Sequence, residues 1–144
     1  MDAFELSDLV ARQAASGRPY LEFITVPDLS VGLYVLMAGE PDLQQPHTED
    51  EVYYVISGRG RISVGGEDQA VGPGSTIFVA TGVPHTFHDI TEDLHLFVAF
   101  GPAEGSRGAR GPPATIGQPR PASTARSASS NASSAPRPTS SWRK

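Results

Sequence analysis

The sequence predicts an all-β fold, a sandwich or barrel of short strands. Three observations carry that prediction. Between Tyr20 and Phe100 the chain breaks into eight β-type runs. Clusters of Gly, Pro, Asp and Ser separate them, roughly every 8–12 residues. No long helical pattern alternates with them, and neither a P-loop motif nor a strand followed by G-x-G-x-x-G is present, which excludes a nucleotide-binding α/β fold.

The elements follow in order. Residues 7–16 are the one segment with helical character. Ser7 is the expected N-cap, Leu9, Val10 and Ala14 fall on one face, Gly17 supplies the stop and Pro19 prevents continuation. Strands are expected at 20–26, 31–38, 52–56, 60–64, 69–71, 76–79, 85–89 and 94–100. Among the breakers between them are Ser57-Gly58, Gly72-Pro73-Gly74 and Thr91-Glu92-Asp93, and Gly65-Gly66 is a two-residue hairpin turn.

Charge divides the 144 residues into two unlike pieces. Residues 1–104 hold all 16 acids against Arg12, Arg18, Arg59 and Arg61, a net −12. Residues 105–144 hold no acid, six Arg and Lys144, a net +7. Their only large apolar side chains are Ile116 and Trp142. Such a stretch buries too little to offset an ordering entropy of roughly 1–2 kcal/mol per residue, so a folded domain over 1–104 and a disordered tail over 105–144 are expected. The tail reads as a solvated extension, as a basic arm for an acidic partner, or as Ser/Arg/Ala/Pro-rich text of the kind out-of-frame translation produces.

Composition removes several chemistries. No Cys means no disulfide framework, thiolate zinc site, iron–sulfur cluster or thiol nucleophile. A single Lys at position 144 argues against Schiff-base catalysis. No apolar run approaches the roughly 18 residues a membrane helix needs. Residues 1–10 carry three acids and no base, which is wrong for a signal peptide, so the cytoplasm is the expected location. The acidic first 104 residues, lacking a DNA-binding motif, speak against nucleic acid as a partner.

Two segments can carry chemistry: Gln45 to Gly58, with His47 and Glu51, and Gly74 to Asp89, with His85 and His88. On a regular strand Gln45 and His47 share a face about 6.6–6.8 Å apart. Glu51 has the same parity, about 13 Å further along an extended chain, and the polar Thr48-Glu49-Asp50 stretch lets it bend back. His85 opens a later strand after a Gly-Val-Pro turn. His88, three residues on, turns to the opposite face. Tyr53, Val55, Phe87 and Tyr34 share parity with these residues and are expected along the interior. Glu49 is the rival carboxylate. Two imidazoles and one carboxylate converging in a barrel make a facial triad with open coordination positions.

These segments resemble the two motifs of the cupin superfamily. The first reads G-x5-H-x-H-x3,4-E-x6-G, and His47, Glu51 and Gly58 match its second half in register. The second reads G-x5-P-x-G-x2-H-x3-N, matched by Gly74, Gly82 and His85, with Ala80 for Pro and Asp89 for Asn. The resemblance spans about residues 31–101. It implies a double-stranded β-helix, the jelly-roll barrel, and more often a homodimer than a monomer. Position by position, it implies a metal site of Gln45, His47, Glu51 and His85, with Gln45 where the family carries its first His. An amide oxygen is a weaker donor than imidazole for Fe, Ni, Cu or Zn.

The expectation is therefore one divalent ion, Fe, Mn, Ni or Zn, in the barrel. Two functions follow: a metal-dependent, oxygenase-like enzyme acting on a small organic molecule, or a non-catalytic module that binds a small molecule or partner with a relaxed metal site. Metal occupancy after native purification discriminates them.

Overall fold

The computed structural model describes residues 1–107. Helix α1 (Leu6–Ser16) is followed by β1 (Tyr20–Val26), β2 (Leu29–Leu36), β3 (Asp50–Val64), β4 (Glu67–Val71), β5 (Thr76–Val79) and β6 (His85–Gly101). All pairing is antiparallel, and the strands run in the order β1-β2-β6-β3-β4, with β5 on β3. This is the expected all-β jelly roll with one short helix. No helix among the described residues is long and apolar enough to cross a membrane.

β2 lies two residues earlier than the expected 31–38, β4 begins at Glu67 rather than 69, and two further expectations about boundaries change. Ser7 does not cap α1. The backbone of Glu5 does so, its carbonyl accepting from Asp8 N–H and Leu9 N–H at 3.1 Å, and Ser7 lies inside the first turn. Gly17 ends the helix in the left-handed conformation as expected, but Ala14 is exposed and only Leu9 is fully buried.

The second change shapes the barrel. Ser57-Gly58 and Thr91-Glu92-Asp93 do not end strands; they are bends within β3 and β6, which stay paired along their whole lengths. The first half of β3 pairs with β5 and the end of β6, and its second half pairs with β4 and the start of β6. Burial records the bend. Glu51, Tyr53 and Val55 point inward, and beyond the register shifts at Ser57 the buried positions become Gly58, Gly60 and Ile62. On β6 the inward set slips from His85 and Phe87 to Ile90, Leu94, Leu96, Val98 and Phe100. Asp89 takes φ 47° at that slip, a left-handed conformation that Asp and Asn tolerate better than most residues. Gly58 has φ 93°, and a Cβ there would lie 2.1 Å from the Asp93 carbonyl oxygen. Only glycine permits this crossing.

Two apolar clusters result. The barrel interior holds Tyr34, Tyr53, Val55, Phe87, Leu94, Leu96 and Phe100 among others. Outside the sheet, Leu9 and Val10 of α1 pack on Leu33, Val35, Phe23 and Phe97. Beyond β6, Ala103 N–H donates to Pro27 O and Glu104 N–H to Ser30 Oγ. Gly105–Arg107, read from composition as the start of the tail, form a turn tied to the barrel: Arg107 N–H donates to the buried Glu49, and its guanidinium donates to Thr48 O and Thr81 Oγ1. Glu49, the rival carboxylate, is an anchor for this strap. Its carboxyl is held below the usual range because bonds from Thr48 and the 105–107 backbone outweigh the effect of burial. The rest of the expected tail lies outside the described residues.

Candidate functional site

The site is built where the two motif segments meet. His47 lies in the irregular stretch before β3, Glu51 is the second residue of β3, and His85 opens β6. Gly82 N–H donates to His47 O at 2.9 Å, and Thr81 donates through both its N–H and its hydroxyl to Asp50 Oδ1. The loop ahead of His85 is thereby laced to the chain between His47 and Glu51.

Ligand-type atoms of His47, Glu51 and His85 all lie within 4.8 Å of one another. His85 Nε2 is 2.5 Å from Glu51 Oε1, and His47 Nε2 is 3.8 Å from Glu51 Oε2. Glu51 is 1% exposed, and its Oε2 is buried without a hydrogen-bond partner. A buried carboxylate oxygen with no donor is costly unless a cation faces it. The donor chemistry therefore fits a metal ion.

Neighbours set the orientation of these groups. His85 Nδ1 is 2.9 Å from Val83 O, which holds the ring with Nε2 facing Glu51. Burial pulls the His85 imidazole down, but bonds to Glu51 and Val83 and the charges of Glu51 and Asp42 outweigh it and raise its pKa. Tyr53 OH stands within 3.2 Å of Gln44 Oε1, Glu51 Oε1 and His85 Nε2. Burial and the Glu51 charge push this phenol well above its ordinary range. Asp42 accepts from Gln44 Nε2, Tyr34 OH and Phe87 N–H, which turns the Gln44 amide oxygen toward Tyr53.

Beside this group opens a cavity of about 150 Å³. His47 belongs to both, and Tyr53 and Gln44 form part of the wall. Tyr20, Tyr34, Val98 and Phe100 supply its apolar lining, and Glu104 stands at His47 with Oε1 3.6 Å from Nδ1. Burial raises the Glu104 pKa against the opposing pull of His47.

The structure thus brings together His47, Glu51 and His85 but not Gln45, which is exposed and outside the cavity. Strand parity fails there because residues 37–49 form no strand before the ladder begins at Asp50. Gln44 takes the inward place. His88 lies on the outer face as expected, bound to Asp68 and Asp89. Tyr34, Tyr53, Val55 and Phe87 all belong to the barrel core, and Tyr34 and Tyr53 also line the cavity. Sequence reasoning missed Tyr20, whose ring lies over Gly32: a Cβ on Gly32 would fall 2.3–2.4 Å from its ring and hydroxyl. It also missed Glu104, whose one signal is that it is the last acid in the chain.

Comparison with known proteins agrees with this fold. The family model described as "Cupin domain" matches residues 32–100. An uncharacterized protein of Streptomyces coelicolor is 50% identical over 104 residues, which are 72% of this chain and 99% of that protein.

The chain belongs to the cupin superfamily.

Solved structures place the cupin barrel in wider company. A protein from Thermus thermophilus superposes with a TM-score of 0.57 at 22% identity, covering 72% of this cupin and 99% of that chain. Salicylate 1,2-dioxygenase from Pseudoaminobacter salicylatoxidans, solved as a point mutant in complex with gentisate, superposes with a TM-score of 0.54 at 19% identity, covering 67% of this cupin and 30% of that chain. At these identities the likeness is one of fold.

Proposed function

We propose that this cupin is a cytoplasmic, metal-dependent enzyme of oxygenase type that holds one divalent ion, Fe, Mn, Ni or Zn, through His47, Glu51 and His85 and acts on a small organic molecule in the adjoining cavity. The observation that carries the reading is the buried, unpartnered Oε2 of Glu51 between two imidazoles. Two His and one carboxylate are the donor set of nonhaem iron oxygenases. When bound, the ion supplies Lewis acidity and, as iron, the redox chemistry of that class.

The chain's own residues do the rest. Val83 fixes His85 so that Nε2 faces inward. Tyr53 orients Glu51 Oε1, and the His47 imidazole presents Nε2 on the side of Glu51, 3.8 Å from Oε2. Tyr20, Tyr34 and Phe100 exclude water from the substrate's flank. The salicylate 1,2-dioxygenase structure shows that a barrel of this fold can carry oxygenase chemistry.

One observation favours the second reading, a non-catalytic binding module: the exposure of Gln45 leaves three protein donors where the motif calls for four. Elemental analysis separates the two. Protein purified without chelator or His tag should carry close to one metal per chain. His47→Ala, Glu51→Ala and His85→Ala should each lose most of it, and Gln45→Ala should lose none. A wild-type protein that stays metal-free after reconstitution with Fe, Mn, Ni and Zn leaves the binding module standing.

A further inference from the structure

We infer that the cavity selects a small organic ammonium ion bearing at least one N–H. The inference deepens the proposed function, because it takes the cavity beside the metal donors to be the ligand site.

The lining carries the argument. Tyr20, Tyr34 and Phe100 form a nest of aromatic rings, with Tyr20 6.2 Å from Tyr34 and 6.4 Å from Phe100 between centroids and steep interplanar angles. Ring faces attract cations and offer a carboxylate nothing. At the same wall stands Glu104, a carboxylate the metal donors leave unclaimed. It faces Nδ1 of His47, while Glu51 faces Nε2 on the other side of the ring. No Arg among the described residues lines the cavity. Arg107, the nearest in sequence to Glu104, is spent on Thr48, Thr81 and Glu49. An anionic ligand would meet a carboxylate and no guanidinium.

A second feature can accommodate the N–H. The Tyr20 hydroxyl is buried and has no hydrogen-bond partner. It is held there because Gly32 leaves room for the ring. An ammonium hydrogen can donate to that oxygen while the charge sits against Glu104 and the carbon chain lies on the rings. A cavity near 150 Å³ is of the size that admits a six-carbon ring, so the ligand is small.

Calorimetric titration of the full-length chain tests this, with n-propylammonium, tetramethylammonium, 1-propanol and propionate, each with metal stripped and with Zn²⁺ added. In the metal-stripped protein, the state that decides the question, propylammonium should bind at least about tenfold tighter than propanol or propionate. Glu104→Gln should abolish that preference. Tyr20→Phe should weaken propylammonium several-fold and leave tetramethylammonium unchanged. Propionate or propanol binding as tightly as propylammonium would overturn the inference, as would absence of ammonium binding at millimolar concentration. Zn²⁺ retention is measured on the same samples. If Glu104→Gln loses Zn²⁺ together with the ammonium preference, Glu104 serves His47 alone and the inference falls. If the wild type binds no metal yet prefers ammonium, the metal reading fails and this one stands.

Discussion

The Tyr53 hydroxyl donates toward Gln44 Oε1 and Glu51 Oε1 and lies 3.1 Å from His85 Nε2, at a position 1% exposed. Tyr53→Phe keeps the ring and strands the buried acceptors. Stability should fall by about 1–3 kcal/mol, read by denaturant unfolding. The His85 pKa is raised by its partners, so protons compete with a metal above the ordinary imidazole range. Metal affinity should fall steadily as pH drops through that range, and an affinity flat between pH 5 and 8 would exclude the imidazoles as donors. On the outer face, Asp68 is drawn down to about 2, first by its bond to His88 and then by Ser63 and Arg61, and the His88 pKa is raised, chiefly by Asp68. The His88 contribution is complete below the ordinary imidazole pKa and is lost as pH rises through its raised value. The Asp68 contribution is complete above the ordinary Asp pKa and is lost as pH falls through about 2. An NMR titration of Asp68→Asn should show the His88 pKa falling back toward 6.5.

At the scale of elements, the paired bends of β3 and β6 decide which side chains face inward. Gly58→Ala would force a Cβ into the Asp93 carbonyl at a positive φ. It should cost several kcal/mol or prevent folding, seen in the thermal transition. These bends also show where the sequence was legible. Alternation holds within the halves of β3 and β6, which makes Tyr53, His85 and the outward turn of His88 legible, but not in β1 or β2. Ser57-Gly58 looked like a chain break because glycine marks turns and bends alike, and only pairing with a distant strand distinguishes them. Gln45 was misplaced for a related reason: a period of two holds only on a strand, and none exists between β2 and Asp50. Tyr20 and Glu104 were invisible as site residues because they reach the cavity from the two ends of the barrel chain, through a neighbour's missing side chain and through a strap.

For the whole molecule, the strap sets where the folded part can be cut. A chain ending after Arg107 should melt within a few degrees of full length, since the residues beyond offer only Ile116 and Trp142 to bury. A chain ending after Glu104 loses the Arg107 bonds to Glu49, Thr48 and Thr81 and should melt several degrees lower, roughly 4–8 °C per kcal/mol lost. Equal melting of the two truncations would show that the strap contributes nothing. The barrel's outer surface also carries Val52, Tyr54 and Phe78 at 39%, 46% and 63% exposure, side by side on β3 and β5. The cupin resemblance implies a homodimer more often than a monomer, and this exposed apolar group is a place where such a pairing can be tested. Phe78→Glu should then shift the mass in light scattering from two chains to one.

The contact between Tyr20 and Gly32 makes the width of the cavity an exchangeable quantity. The two residues lie on neighbouring strands, and the phenol occupies the space that a side chain at 32 would fill. The Tyr20 hydroxyl makes no hydrogen bond to His47, Glu51 or His85. Removing the ring with Tyr20→Ala therefore opens room for a longer guest, and refilling position 32 step by step with Ala and Val closes it again. A library over these two positions would tune guest size in an engineered barrel while leaving the metal-binding half of the molecule as it is.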